Sequence, residues 1–168
     1  MSENGPAFAW GHVNLNVADL ERSIAFYALF GFDVFIPSIP YLGLVREETR
    51  SLSDANAATL GVPAGTRGRA CILQLGDGFP KLDLTQFEIG DGRSPLETRD
   101  HGFARICLAS TDLARDYERL AAAGVCFLTP PQETEGGLAD VALCRDPDGA
   151  LIELIQIDAP KWIAGAEA

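Results

Sequence analysis

Two ionisable residues occupy the same position in a repeated stretch of this sequence. Residues 12–35 lie over residues 105–128 without a gap, which places His12 against Arg105. An imidazole can ligate a metal or move a proton near neutral pH. A guanidinium has no acceptor lone pair and stays protonated, so it does neither and instead binds anions. One position of the repeat therefore carries two different chemistries.

Two carboxylates form a second correspondence at a different offset. KLDLTQF, residues 81–87, lies over LIELIQI, residues 151–157, so that Asp83 matches Glu153. Paired carboxylates hold divalent cations or exchange protons with a substrate. Together the two correspondences give four candidate catalytic residues: His12, Asp83, Arg105 and Glu153.

The elements that must position these residues follow the same repeat. Each half reads as a strand, a helix and three further strands, because apolar residues recur first at helical and then at strand spacing. Gly31 and Gly124 lie where each helix should end in a left-handed conformation. The predicted fold class is α+β, built from two βαβββ modules.

The chain reads as one domain over residues 1–168. Its expected parts are a first module at about 8–89 with an insertion at about 37–68, a linker at about 90–100, a second module at about 101–157 and a tail at 158–168. An insertion of this length favours a functional lid over an idle surface loop. Four arginines in and beside it either meet an anionic substrate or form a solvated, partly neutralised surface: Arg46, Arg50, Arg67 and Arg69.

Strand alternation places His12, Asn14 and Asn16 on one unusually polar face of the first strand, and Phe103, Arg105 and Cys107 on the equivalent face of the second module. If the modules are related by an approximate twofold axis, the four candidate catalytic residues converge on one cavity. Polar and aromatic side chains of the same parity would line that cavity and suit a small organic molecule. These expected substrate-binding residues are Trp10, Asn14, Asn16, Thr85, Phe87 and Phe103.

The charge of the chain limits its partners. The formal net charge is −11, which argues against nucleic acid and anionic membrane surfaces because both require a cationic face. No apolar run approaches the roughly 20 residues of a spanning helix, and MSENGPAFAW is not a basic region followed by an apolar one. We therefore expect a cytoplasmic protein whose partner is a small molecule.

Two longer stretches carry a family resemblance. GHVNLNVADLERSIAFY near the start and RDPDGALIELIQ near the end resemble the vicinal oxygen chelate superfamily, which includes glyoxalase I, bleomycin resistance proteins and extradiol dioxygenases. The resemblance implies that the modules form a curved mixed sheet around a cavity, and that the protein is a homodimer. It also implies a divalent metal held by His12, Asp83 and Glu153, with Arg105 in the place of a usual ligand histidine.

The arginine leaves three alternatives open. Arg105 leaves a three-ligand metal site, or replaces the metal as the cation that two buried carboxylates need, or forms a structural salt bridge. No organic cofactor is expected. The resemblance implies a glyoxalase-like lyase or isomerase that transfers a proton on a small anionic or carbonyl-containing substrate and stabilises an oxyanion. The alternative is a non-catalytic binding protein of the bleomycin-resistance type, and an extradiol-type dioxygenase ranks third.

Overall fold

The computed structural model describes residues 8–88, 92 and 94–166. The chain divides into two compact units, unit 1 over residues 1–92 and unit 2 over residues 93–168. The α+β fold class and the two βαβββ modules predicted from the sequence are confirmed. Among the helices in the described ranges, none is long and apolar enough to cross a membrane.

Unit 1 is built around a mixed sheet. Its elements are β1 (His12–Asn16), α1 (Leu20–Ala28), β2 (Phe32–Ile36), β3 (Ser38–Ile39), a 3-10 turn (Pro40–Leu42), β4 (Leu44–Val45), β5 (Arg50–Ser51), α2 (Asp54–Leu60), β6 (Arg67–Leu75) and β7 (Lys81–Phe87). The main sheet has the order β1-β7-β6-β2, and β5 pairs with β6. Strand β1 runs parallel to β7, whereas the other pairs are antiparallel.

Unit 2 repeats this plan without the elements that unit 1 has between β2 and β6. Its elements are β8 (Arg105–Ala109), α3 (Leu113–Ala122), β9 (Cys126–Glu133), a 3-10 turn (Glu135–Gly137), β10 (Ala139–Arg145), β11 (Leu151–Ile157) and α4 (Ala159–Ala166). The sheet order is β8-β11-β10-β9, with β8 parallel to β11. Helix α4 occupies the segment that the sequence marked only as a tail.

Both first helices begin with the same pair of side-chain acceptors. In unit 1 the Asp19 carboxylate accepts from the Arg22 amide, and Gln86 Oε1 accepts from the Leu20 amide at 2.9 Å. In unit 2 the corresponding residues make the same bonds, from the Arg115 amide to Asp112 and from the Leu113 amide to Gln156. These bonds satisfy amides that a helix start leaves unpaired, so much of the repeat is structural.

The insertion is a packed part of unit 1. Ser53 caps α2, and Gly61 ends it in the left-handed region. Its apolar side chains form a buried cluster with β6, made of Ile39, Leu42, Leu44, Leu52, Ala57 and Ala70, against which Val62, Ile72 and Phe87 pack. Burial of this cluster holds the insertion on the sheet.

Nearby side chains neutralise or bind the arginines of this region. Arg46 makes a two-pronged ion pair with Glu21 of α1, at 2.6 and 3.0 Å. Arg50 pairs with Glu48 and Arg67 pairs with Glu88. Arg69 Nε donates to Gln86 Oε1. The structure therefore favours the partly neutralised surface over a cationic one.

Candidate functional site

In unit 1, His12 and Asp83 form a contact pair on the polar face of the sheet. The parallel β1–β7 register aligns Asn14 with Asp83 and His12 with Lys81, so these residues project to the same side. His12 Nε2 lies 3.3 Å from Asp83 Oδ2. The imidazole is exposed, whereas the carboxylate is buried. His12 thus connects a buried acid to solvent.

In unit 2, Arg105 and Glu153 form the equivalent pair. The β8–β11 register aligns Cys107 with Glu153 and Arg105 with Leu151. Arg105 Nε donates to Glu153 Oε2 at 2.6 Å. The four candidate catalytic residues are therefore brought together two by two, each pair within its own unit.

The two pairs are equivalent by register as well as by sequence. In each unit the basic residue of the first strand has, as its partner on the last strand, the residue two positions before the carboxylate. The two different sequence offsets are thus consistent with a single geometry. The correspondence of His12 with Arg105, and of Asp83 with Glu153, holds in three dimensions within each sheet.

The insertion buries one of the two equivalent carboxylates. Ile72 on β6 is the cross-strand partner of Asp83 and shares its face, and Ile72 packs against the apolar cluster of the insertion. In unit 2 only residues 134–138 separate β9 from β10. The side chain of Asp83 is 1% exposed and that of Glu153 is 20% exposed. The expectation of two buried carboxylates is therefore wrong for Glu153.

Burial changes the acidity of Asp83. Desolvation raises the pKa of its carboxyl group, and the nearby His12 charge opposes part of that rise. Oδ1 of Asp83 has no hydrogen-bond partner among the described residues. Burial, followed by the charge of Asp83, also raises the pKa of Tyr41, a residue of the insertion that the sequence analysis missed. A buried carboxyl group that has a raised pKa, and one oxygen without a hydrogen-bond partner in the described structure, is suited to acid–base chemistry.

Arg105 prevents this chain from forming a metal site with a ligand at all four repeated positions. Within the described parts of the chain, no three His, Cys, Asp or Glu side chains are grouped to hold a metal ion. Unit 1 offers His12 and Asp83, whereas Glu153 already accepts from a guanidinium that cannot ligate. Cys107, beside Glu153, has its pKa raised to about 11 by burial and by hydrogen bonding to Glu153, so it remains a thiol. A three-ligand site stays a prediction.

The expected substrate-binding residues fall into three groups. Asn14 Nδ2 donates to the buried Thr85 Oγ1 at 3.2 Å, and Asn16 is exposed on the same strand as Asn14. Phe87 packs on the insertion. Trp10 and Phe103 are exposed and precede β1 and β8, because the strands begin at His12 and Arg105, later than the sequence indicated. Their contact with substrate stays a prediction.

The DPDG turn presents Glu153 for its ion pair. Asp146 Oδ1 accepts from the amides of Asp148 and Ala150, at 2.9 and 2.8 Å. Gly149 has φ 92°, a conformation that favours glycine. The turn leads β10 directly into β11, with which it pairs antiparallel.

Comparisons with known proteins identify the family. The model of the Glyoxalase/Bleomycin resistance protein/Dioxygenase superfamily matches residues 9–154, so the chain belongs to this superfamily. It is 28% identical over 160 residues to the lactoylglutathione lyase of Pseudomonas aeruginosa, covering 89% of this chain and 82% of that protein. The lactoylglutathione lyase of Pseudomonas putida is 27% identical over 161 residues, with coverage of 89% and 85%.

Solved structures agree with the fold. A glyoxalase family protein from Bacillus cereus superposes with a TM-score of 0.72 at 16% identity, covering 94% of this chain and 98% of that one. At this identity the likeness shows the fold alone. The resemblance inferred from the two sequence stretches is confirmed.

Proposed function

We propose that this protein is a glyoxalase-like lyase or isomerase that moves a proton on carbon next to a carbonyl group, with Asp83 as the acid–base residue. The observation that carries the proposal is the buried Asp83 carboxyl, with a raised pKa, one oxygen against His12 and the other without a hydrogen bond in the described structure. General acid–base residues need such a tuned pKa.

Asp83 takes the proton from carbon, and the exposed His12, in contact with Oδ2 of Asp83, connects the carboxyl group to solvent. The electron pair of the C–H bond forms the double bond of an enolate, and the carbonyl oxygen takes the negative charge. On an α-hydroxy carbonyl compound, the hydroxyl proton passes to the former carbonyl oxygen and Asp83 returns the carbon-bound proton to the former carbonyl carbon, which completes an isomerisation without any other reactant. Tyr41, a residue of the insertion near enough to feel the charge of Asp83, carries a phenol that is suited to donate a hydrogen bond to the enolate oxygen.

The relatives suggest which compound to try first. Two are named lactoylglutathione lyase, and lactoylglutathione is a thioester with a hydrogen on the carbon between its hydroxyl and carbonyl groups. Moving that hydrogen to the carbonyl carbon, and the hydroxyl proton to the carbonyl oxygen, converts the thioester into a hemithioacetal, from which the thiol can leave. The role of Arg105 in binding an anionic oxygen stays a prediction from the sequence.

The test is incubation of the protein with lactoylglutathione in D₂O, followed by proton NMR. We expect loss of the carbon-bound proton signal and release of free thiol. Asp83→Asn should lower the rate by about 100-fold or more, as removal of a general acid–base group does. Asp33→Asn, at an exposed carboxylate of the same unit, is the matched control. An Asp83→Asn rate equal to that of the unaltered protein would refute the assignment.

A binding protein of the bleomycin-resistance type is the second candidate. It is favoured by the Arg105–Glu153 ion pair, because a carboxylate held by a guanidinium at 2.6 Å supplies neither a metal ligand nor a base. Recovery of lactoylglutathione unchanged, with no deuterium on carbon, would reject the lyase proposal and support this candidate.

A further inference from the structure

Lys81 is a buried cation at one end of the polar face of unit 1. The residue is 8% exposed. Its ammonium group donates to Gln74 Oε1 at 3.1 Å and lies 4.7 Å from the ring centroid of Phe35 and 4.8 Å from that of Phe79. An ammonium group has three N–H donors. Only one of them therefore has a hydrogen-bond acceptor within the described structure.

The charge of Lys81 is not balanced by a carboxylate. Among the described residues, no Asp or Glu oxygen lies within 4.0 Å of its ammonium group, whereas Lys161, the other lysine of the chain, pairs with Asp158 at 3.3 Å. Ring faces attract a cation but supply no anionic oxygen. An ammonium group with unused donors is suited to an anion that accepts from them, so an anionic group would complete this site.

The position of Lys81 relates it to the acid–base pair. Lys81 is the cross-strand partner of His12 and precedes Asp83 by two residues on β7, so all three share one face of the sheet. Both rings beside the ammonium group remain accessible, Phe35 at 49% and Phe79 at 69%. A molecule whose anionic group bound Lys81 would thus place its apolar part in contact with the exposed rings of Phe35 and Phe79.

We propose that Lys81 binds a carboxylate of the substrate, and that Phe35 and Phe79 contact the apolar or aromatic group attached to it. This inference rests on the proposed function and narrows its substrate class to carbonyl compounds that also carry a carboxylate. Gln74 fixes the ammonium group, and the substrate carboxylate accepts from the remaining donors.

The first test uses the unaltered protein labelled with ¹³C,¹⁵N-lysine, which should give two side-chain signals because the chain has two lysines. Phenylglyoxylate, which combines a carboxylate, a carbonyl and an aromatic ring, is the probe. We expect its addition to shift the Lys81 signal and leave the Lys161 signal in place. Methyl phenylglyoxylate, the neutral ester, should shift neither. A Lys81 signal unmoved by the acid would overturn the proposal.

Calorimetry on variants gives an independent readout. Lys81→Met should weaken phenylglyoxylate binding about tenfold or more, because a charge-assisted hydrogen bond is lost, while Lys81→Arg should retain most of the affinity. Lys161→Met is the matched control and should bind as the unaltered protein does. A folded Lys81→Met variant with full affinity would show that the lysine is only structural.

These results separate the two proposals. Binding through Lys81 without proton exchange on lactoylglutathione would support the carboxylate site and reject the lyase. Proton exchange that depends on Asp83, together with a Lys81 signal unmoved by the acid, would support the lyase and reject the carboxylate site.

Discussion

Neutralising the two equivalent carboxylates should change the stability of the protein in opposite directions. Asp83→Asn removes a charge from a buried site at which burial has raised the pKa. Glu153→Gln removes the partner of Arg105 from a partly exposed ion pair. We therefore expect Asp83→Asn to raise the melting temperature at pH 7.5 and Glu153→Gln to lower it.

The sign for Asp83 follows from linkage. Because its pKa is higher in the folded chain than in the unfolded one, its contribution to stability is fully present below the ordinary carboxyl value of about 4 and is lost as the pH rises through the folded pKa. Each unit of raised pKa corresponds to about 1.4 kcal/mol at neutral pH. In a chain of 168 residues, that amounts to roughly 3–6 °C in melting temperature. The asparagine of the Asp83→Asn variant does not ionise, so the variant does not lose this stability as the pH rises.

Calorimetric melting between pH 4 and pH 8 would test both variants. The advantage of Asp83→Asn should shrink toward pH 4, where the native aspartate becomes protonated. Glu153→Gln should cost about 1 kcal/mol at pH 7.5, since the ion pair is short but partly screened by solvent. Asp33→Asn, on the exposed side of β2, should change stability by less than about 0.5 kcal/mol. If Asp83→Asn destabilised the protein at pH 7.5 as Glu153→Gln does, the burial argument would be wrong.

Three further outcomes are expected. Gln156→Met should lower the free energy of unfolding by about 1 kcal/mol, because it removes the acceptor of a helix-start amide. Gln86→Met should lower it by more, because Gln86 also accepts from Arg69. Denaturant titration should show additive losses in the double variant, and a clearly non-additive loss would contradict independent caps. Iodoacetamide at pH 8 should modify the exposed Cys126 and spare Cys144, whose burial raises its pKa to about 12; mass spectrometry showing Cys144 modified first would contradict the burial. Elemental analysis of protein purified without chelator or affinity metal should show no stoichiometric metal, because no three potential ligands are grouped among the described residues. A stoichiometric metal would contradict this expectation and establish the three-ligand site.

The sequence was sufficient to predict how the site residues correspond. The gapless overlay of the first strands and the shifted overlay of the last strands placed His12 against Arg105 and Asp83 against Glu153. Both correspondences reappear in the strand registers. Strand periodicity is a local property, and the repeat supplied the long-range information that a single strand lacks.

The different environments of the two carboxylates could not be predicted in the same way. Asp83 is buried because the insertion packs on Ile72 and its neighbours, and the local pattern of the insertion does not specify the face on which it packs. Lys81 was missed for a related reason. A single lysine at the start of a strand reads as a solvated edge residue, although its parity with Asp83 and the adjacent Phe79 were signals that could have found it.

The burial difference explains why one repeated position carries histidine in one unit and arginine in the other. A permanent cation beside Asp83 would hold the carboxyl ionised and lower its pKa, which would remove its capacity to hold and release a proton. Histidine carries no permanent charge, so Asp83 can change charge state beside it. Glu153 is more exposed and takes a partner that never titrates, which makes it a fixed ion pair. The insertion and the His12/Arg105 difference are thus consistent with each other, and the proton transfer that we propose uses the pair in unit 1.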